Sequence, residues 1–212
     1  MSVFIWGNNK FFSAKELGVQ LALKHPVLQG KTVIGRGVYS IILSDGISVF
    51  KLTIDRMAYA LAEHQSQWQC SAMPVIRSLH GIVGATNIGL PLFLIEMERL
   101  DKLVTGTAVR KRCLSISRQL KKYIKYDDSP AVRLRRVSAL QQDDEMGRGL
   151  MLLADFMESR WPTAELDLHS ANFMRRPDTG EAVITDPIMD METRNIVLEH
   201  AKRNFPEGIM IV

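Results

Sequence analysis

Apolar and polar positions along the chain fall into two rhythms. Between Val33 and Leu52 the apolar residues come in short, β-rich runs. One is Val33-Ile34-Gly35-Arg36-Gly37-Val38-Tyr39-Ser40-Ile41-Ile42-Leu43 and the next is Ile47-Ser48-Val49-Phe50-Lys51-Leu52, with the turn Ser44-Asp45-Gly46 between them. This pattern predicts strands joined by tight turns. Residues 74–76 and 82–84 read as short strands or connectors, and residues 92–100 begin as a buried strand and turn polar. Helical spacing takes over elsewhere. Residues 11–24 carry a capping box, Ser13 with Glu16, an apolar side of Leu17, Leu21 and Leu23, and a stop at Pro26. Residues 55–69 place Met57, Ala58, Leu61 and Ala62 on one side. Residues 108–136 place Leu114, Ile116, Leu120, Tyr123 and Ile124 at near-helical spacing, and residues 145–161 align Leu150, Leu153, Ala154 and Met157 before Pro162. A final helix is predicted over 191–204, then Pro206-Glu207-Gly208 and an apolar end, 209–212.

Composition narrows this picture only a little. The chain has 212 residues, 46% hydrophobic and 24% charged, enough for a real core in one domain or two small lobes. The formal charge of +4 suits an acidic ligand such as a nucleotide, and leaves nucleic acid open as a partner. Cys70 and Cys113 have neither metal-ligand spacing nor the look of a disulfide framework, so a reducing cytoplasm is the expected compartment. The start, Met1 to Asn9, is too short and polar for a signal sequence, and no apolar run approaches the about 18 residues that a membrane span needs.

The candidate chemistry concentrates in Leu166-Asp167-Leu168-His169-Ser170-Ala171-Asn172 and Val183-Ile184-Thr185-Asp186-Pro187. Asp167, Asn172 and Asp186 can each bind a metal or activate a hydroxyl. The turn Pro177-Asp178-Thr179-Gly180 joins the two pieces as a hairpin would. An Asp that takes a hydroxyl proton, an Asn five residues on and a later strand-end Asp holding metal form the layout of phosphoryl transfer.

Two other phosphate loops fail upstream. A Walker loop would use Gly30-Lys31-Thr32 as its tail, but His25 stands where the first glycine belongs and a predicted helix precedes it. A dinucleotide fingerprint would need a third glycine opening a helix, and Ser40 occupies that place with strand residues following. Gly35-x-Gly37 between strands, followed by Lys51 on a later strand, fits a glycine-rich phosphate cover and its lysine. A β-bulge or tight turn would explain the glycines equally, and a surface position would explain the lysine. Glu63 could pair with Lys51 or be a solvated helix carboxylate.

With those residues in view, the sequence resembles the protein-kinase-like superfamily, and within it the early serine/threonine protein kinases of T-seven-like podoviruses. D-x-H-S-x-N-x-M (Asp167 to Met174), I-T-D-P (Ile184 to Pro187) and G-x-G-x-x-S (Gly35 to Ser40) carry the resemblance. It spans about residues 34–190. The Asp-x-His-x-x-Asn core is also similar to aminoglycoside and choline phosphotransferases.

The resemblance implies an α+β, minimal two-lobed kinase-like fold forming one domain over 1–212. Its sheet lobe would be 1–99 and its truncated, mostly helical lobe 100–212. It implies Asp167 as catalytic base, Asn172 and Asp186 as Mg²⁺ ligands, and Lys51 as the ATP phosphate lysine with Glu63 as its partner. Gly35, Gly37 and Ser40 become the phosphate cover, and Glu98 and Leu100 the hinge positions whose backbone meets adenine, with Met97 facing the ring. His169 is expected to shape the loop.

The sequence departs from the family at Leu166, where kinases usually carry Arg, and at Pro187, where they carry Phe. Only 26 residues follow Asp186, few for an activation segment and a peptide-binding lobe. The implied activity is phosphoryl transfer from ATP to serine or threonine of host cytoplasmic proteins, and to the chain itself. A small-molecule phosphotransferase and an inactive kinase-like binding protein are the alternatives. The basic stretch 108–136 reads as a solvated cationic helix face or a docking surface for acidic proteins or nucleic acid, and Arg135-Arg136-Val137-Ser138 as a self-phosphorylation motif or a solvated loop.

Overall fold

A computed structural model describes residues 11–12, 17–123, 129–141, 144–160, 164–204 and 210–211. In chain order its elements begin with β1 (Phe11–Phe12) and two 3-10 segments, Val19–Lys24 and Pro26–Leu28. Next come β2 (Thr32–Arg36), β3 (Ser40–Ser44), β4 (Ser48–Thr53), α1 (Arg56–Gln65), β5 (Ile76–Ala85), β6 (Pro91–Glu98) and β7 (Asp101–Lys102). Helices α2 (Ala108–Tyr123), α3 (Pro130–Ser138) and α4 (Glu145–Arg160) follow. Short strands β8 (Ala164–Leu166), β9 (Phe173–Arg175), β10 (Ala182–Ile184) and β11 (Ile188–Asp190) lead to α5 (Met191–Asn204) and β12 (Met210–Ile211). The class is α+β.

The chain forms two compact units. The first comprises residues 1–63, 76–99 and 190–212, and the second 64–75 and 100–189. Residues 64–75 and 190–212 therefore each lie in the other unit from the one a single cut at 99/100 would give them.

The first unit is built on an antiparallel sheet of order β2-β3-β4-β6-β5. Asp45 sets the β3–β4 turn: its Oδ1 accepts from the Ile47 and Ser48 amides at 3.0 and 2.8 Å, and its Oδ2 from Lys31 Nζ at 3.1 Å. Those amide donors, chiefly that of Ser48, hold its carboxyl well below the usual carboxylate range. Strand alternation puts Ile41, Leu43, Phe50, Leu52, Leu92 and Leu94 in one buried cluster. Leu17, Val19, Ala22 and Leu28 from the N-terminal segment join it, and so do Val197 and Ala201 of α5.

Lys51 has the opposite parity. It sits on β4 in register with Ile42 on β3 and Ile95 on β6. Helix α1 is started by Asp55, whose Oδ1 accepts from the Met57 and Ala58 amides at 2.8 and 3.0 Å. It packs by stacking Tyr59 on Phe93, with ring centroids 4.8 Å apart.

In the second unit α3 packs against α4, and Arg112 of α2 is tied to Gln141 at 3.1 Å. A small sheet of order β10-β9-β7 accompanies the helices. Among the described residues, no helix is long and apolar enough to cross a membrane.

Several expected elements change. Residues 11–24 are not one helix. Strand β1 opens them and a 3-10 segment closes them, because Gly18 adopts φ 75°, a left-handed conformation that ends any helix before it. The expected capping box at Ser13 and Glu16 lies outside the described residues. Residues 74–85 hold one continuous ten-residue strand, β5, whose pairing with β6 slips three times. The expected helix over 108–136 is two, and the second starts at Ser129, whose Oγ accepts from the Val132 amide, with Pro130 in its first turn. Ile124, Lys125, Asp127 and Asp128 lie outside the described residues, as do Trp161, Pro162 and 205–209. Ser138 is not in a solvated loop: it ends α3, is buried and donates its hydroxyl to the Gly147 carbonyl at 2.7 Å.

Helix α5 has a cheap test. Val197 is fully buried in the sheet cluster. Val197→Ala is expected to lower the unfolding free energy by about 2 kcal/mol in urea titration. A loss below about 0.5 kcal/mol would take α5 out of that core.

Candidate functional site

Each residue singled out in the sequence has a definite place. In the second unit, β8 delivers Asp167, a three-residue 3-10 turn (Ser170–Asn172) follows, and β9 and β10 form a hairpin that runs toward Asp186. His169 shapes the turn: its Nδ1 accepts from the Ala171 amide at 3.2 Å, and its carbonyl from the Asn172 amide at 3.0 Å. Its Nε2 lies 3.9 Å from Asp167 Oδ1.

Backbone bonds bring the two halves of the motif together. The Asp167 amide donates to the Pro187 carbonyl at 2.8 Å, and the Thr185 amide to the Asn172 carbonyl at 2.9 Å. Thr185 Oγ1 donates to that same carbonyl at 3.2 Å. Asp186 therefore lies between two residues fixed to the loop. The Asn172 side-chain NH₂ donates to the Asp167 carbonyl, which leaves its amide oxygen as an acceptor. Ser117 of α2 donates its hydroxyl to the Leu168 carbonyl at 3.3 Å and supports the loop from beneath.

Burial pushes the Asp167 carboxyl up, and the nearby charges of Asp186 and Glu165 push it the same way, against His169. Two carboxylates and an amide oxygen make a hard-oxygen donor set of the kind magnesium takes, completed by ligand oxygens and water. Among the described residues, no group of three or more His, Cys, Asp or Glu side chains could hold a metal by itself. A metal here would need Asn172 as well as the carboxylates.

The strand leading to Asp186 rests on a hub at Ser71–Met73. The Ile184 amide donates to the Ala72 carbonyl at 2.8 Å. The Arg176 guanidinium donates to the carbonyls of Ser71 and Met73, the latter at 2.8 Å. Glu145, at the start of α4, accepts from the Ser71 amide at 2.7 Å. Gly149 on α4 makes room, since a Cβ there would lie 3.1 Å from that of Ala72. Sequence reading missed Thr185, Arg176, Ser117 and Glu145 as positioning residues. Thr185 had a signal in its place beside Asp186, whereas Arg176 meets partners more than a hundred positions away.

In the first unit, Gly35 lies on β2 at a register shift and Gly37 at the β2–β3 tip, its amide donating to the Ser40 carbonyl at 2.9 Å. The tip is pinned where the Tyr39 carbonyl accepts from the Ile54 amide and Thr53 Oγ1, at 2.9 and 3.1 Å. Neither glycine has a positive φ, and a Cβ at either would meet only ordinary contacts, 3.5 Å from Ile42 at Gly35 and 3.8 Å from Ser40 Oγ at Gly37. Lys51 is 7% exposed. Glu63 is exposed on α1, and Glu98 ends β6 opposite Ser48. Leu100, 8% exposed, belongs to the second unit. The structure thus gathers Asp167, Asn172 and Asp186 in one unit and Gly35, Gly37, Ser40 and Lys51 in the other.

The sequence matches no protein-family model and no curated protein.

The hub predicts a pH effect. The Ser71 amide, with Arg148 adding, holds Glu145 below the usual carboxylate range. Its charge therefore contributes stability above the unfolded-state pKa, and that contribution is lost as pH falls through the lower folded value. Glu145→Gln should melt below the parent at pH 7, with the gap closing below about pH 4. A gap that stays constant across that range would remove the carboxylate from the hub's stability.

Proposed function

We propose that this chain is a minimal ATP-dependent serine/threonine protein kinase that transfers the γ-phosphoryl group to host proteins. The observation that carries this is the backbone coupling of the Asp167–Asn172 loop to the residues on either side of Asp186. Those are main-chain bonds, and they set the Asp167–Asn172 loop beside the residues that flank Asp186.

In this reading Asp167 accepts the hydrogen bond, and then the proton, of the substrate hydroxyl. Partial burial raises the proton affinity of its carboxyl, which suits it to take that proton. Asn172 Oδ1 and the Asp186 carboxylate hold magnesium. Bound magnesium offsets the charge of the phosphate oxygens and keeps the transferring group in line. Lys51, buried between apolar neighbours, directs its ammonium at the α- and β-phosphates, with Glu63 as the proposed partner. The backbones of Glu98 and Leu100 take the adenine edge. Neither Gly35 nor Gly37 has a positive φ or a crowded Cβ position, and in this reading the missing side chains let phosphate approach the β2–β3 tip. Rate enhancement comes from positioning and charge neutralisation.

One observation favours a small-molecule acceptor as the second reading. From Asp190 the chain belongs to the first unit, so the unit that carries Asp167 is built from residues 64–75 and 100–189. A protein substrate must then be recognised by residues 64–75 and 100–189 or by the first unit.

Purified protein incubated with γ-labelled ATP, Mg²⁺ and bacterial lysate should label lysate proteins or itself. Asp167→Ala and Asp186→Ala should each reduce labelling by about 10²- to 10⁴-fold. Undiminished labelling by either variant would end the assignment of that residue. Label on a small alcohol would select the second reading, and failure to bind ATP would leave a kinase-shaped binding protein. Gly37→Ala should keep the parental melting temperature and raise the KM for ATP several-fold. A lowered melting temperature with unchanged KM would make that glycine structural.

A further inference from the structure

Helix α2 has two faces of opposite character. Cys113, Ile116, Ser117 and Leu120 are buried, and through Ser117 this face supports the Asp167 loop. On the other side Lys111, Ser115, Arg118 and Lys122 are exposed, at a spacing that lines them up on successive turns. The helix holds six basic residues and no acidic one. Arg112 is neutralised by Asp144, whereas Lys111, Arg118, Lys121 and Lys122 are in no ion pair among the described residues. From Lys111 to Lys122 the stripe runs about 16 Å. Like charges at this spacing repel one another, so the fold gains nothing from them.

The surroundings limit what could cover this stripe. On α3, Arg135 is answered by Asp155 and Glu158 of α4, and Asp144 stands at the Arg112 edge. Arg112 and Arg135 are thus answered by carboxylates, while Arg136 of α3 is exposed over the Tyr123 ring at the end of α2. A nucleic-acid duplex presents two phosphate strands across about 20 Å, wider than a single row of cations on one helix. The exposed stripe has no aromatic side chain on which single-stranded bases could stack. It has no apolar wedge for a lipid surface either. A narrow row of cations fits a single row of carboxylates.

We infer that the Lys111–Arg118–Lys122 face of α2 is a docking surface for an acidic peptide segment of a protein partner. The surface lies on the side of α2 opposite the loop-supporting residues, so it can be occupied without displacing the Ser117–Leu168 contact. Binding of this kind needs no phosphoryl transfer, and its test is independent of the proposed enzymatic activity.

The probe is a fluorescein-labelled twelve-residue peptide alternating glutamate and alanine, read by fluorescence anisotropy against the intact chain. A glutamine-for-glutamate peptide and a twelve-base-pair duplex of the same label are the comparators. The acidic peptide is expected to bind, and to lose at least about tenfold in affinity between 50 and 300 mM NaCl, as screening of exposed charge requires. K111E/R118E/K122E is expected to weaken it at least about tenfold while keeping the parental melting temperature. Three results would overturn the inference: no binding of the acidic peptide, equal binding by the charge-reversed variant, or tighter binding of the duplex. If the triple variant melts early, Lys111→Gln and Lys122→Gln singly should each give a partial loss of peptide affinity, and unchanged affinity in both would also overturn it.

Discussion

Two main-chain hydrogen bonds, from Asp167 to Pro187 and from Thr185 to Asn172, are what the rest of the candidate site depends on. Because they use backbone groups, these two bonds place no demand on any side chain. The remaining support passes outward, to the Thr185 and Ser117 hydroxyls, to Arg176, and to Glu145 at the head of α4. The cost of ordering a polar loop is met by groups at its periphery.

The other half of the candidate machinery obeys a different constraint. A five-stranded sheet with apolar residues on both sides must be covered twice. The N-terminal segment and α5 cover one face, and α1 stacks Tyr59 against Phe93 on the other. Lys51 sits on that second side between Ile42 and Ile95. A lysine 7% exposed at an apolar register position is more informative than any glycine nearby, which is why the lysine, rather than the Gly35-x-Gly37 pattern, bears most weight in the first unit.

Local signals were the legible ones. Helix α5 runs over the residues its spacing indicates, α4 spans Glu145–Arg160 among the described residues, and the Pro177–Gly180 turn joins β9 to β10. The α+β class could be read in the same way from the two rhythms of apolar residues. Elements that depend on a single backbone conformation were not. Gly18 breaks what looks like an amphipathic helix. Gly81, at φ 73°, sits within one of the β5 slips and blurs the alternation that would have revealed a long strand. The candidate trio itself could be picked out from residue order alone. Its support could not, because the Ser71–Met73 hub draws partners from α4, from Arg176 and from β10, and no spacing rule links them.

The return of α5 to the sheet also governs when this protein can fold. The first unit is assembled from three separated lengths of chain, and its buried cluster includes residues near both ends, Leu17 and Ala201. A nascent polypeptide that has exposed all five sheet strands still lacks Val197 and Ala201, so one apolar sheet face is covered only by the N-terminal segment while residues 100–189 are made. Completion of the first unit is therefore a late event, reached after α5 has cleared the ribosome. Until then the incompletely covered sheet face is exposed to aggregation and to chaperone binding.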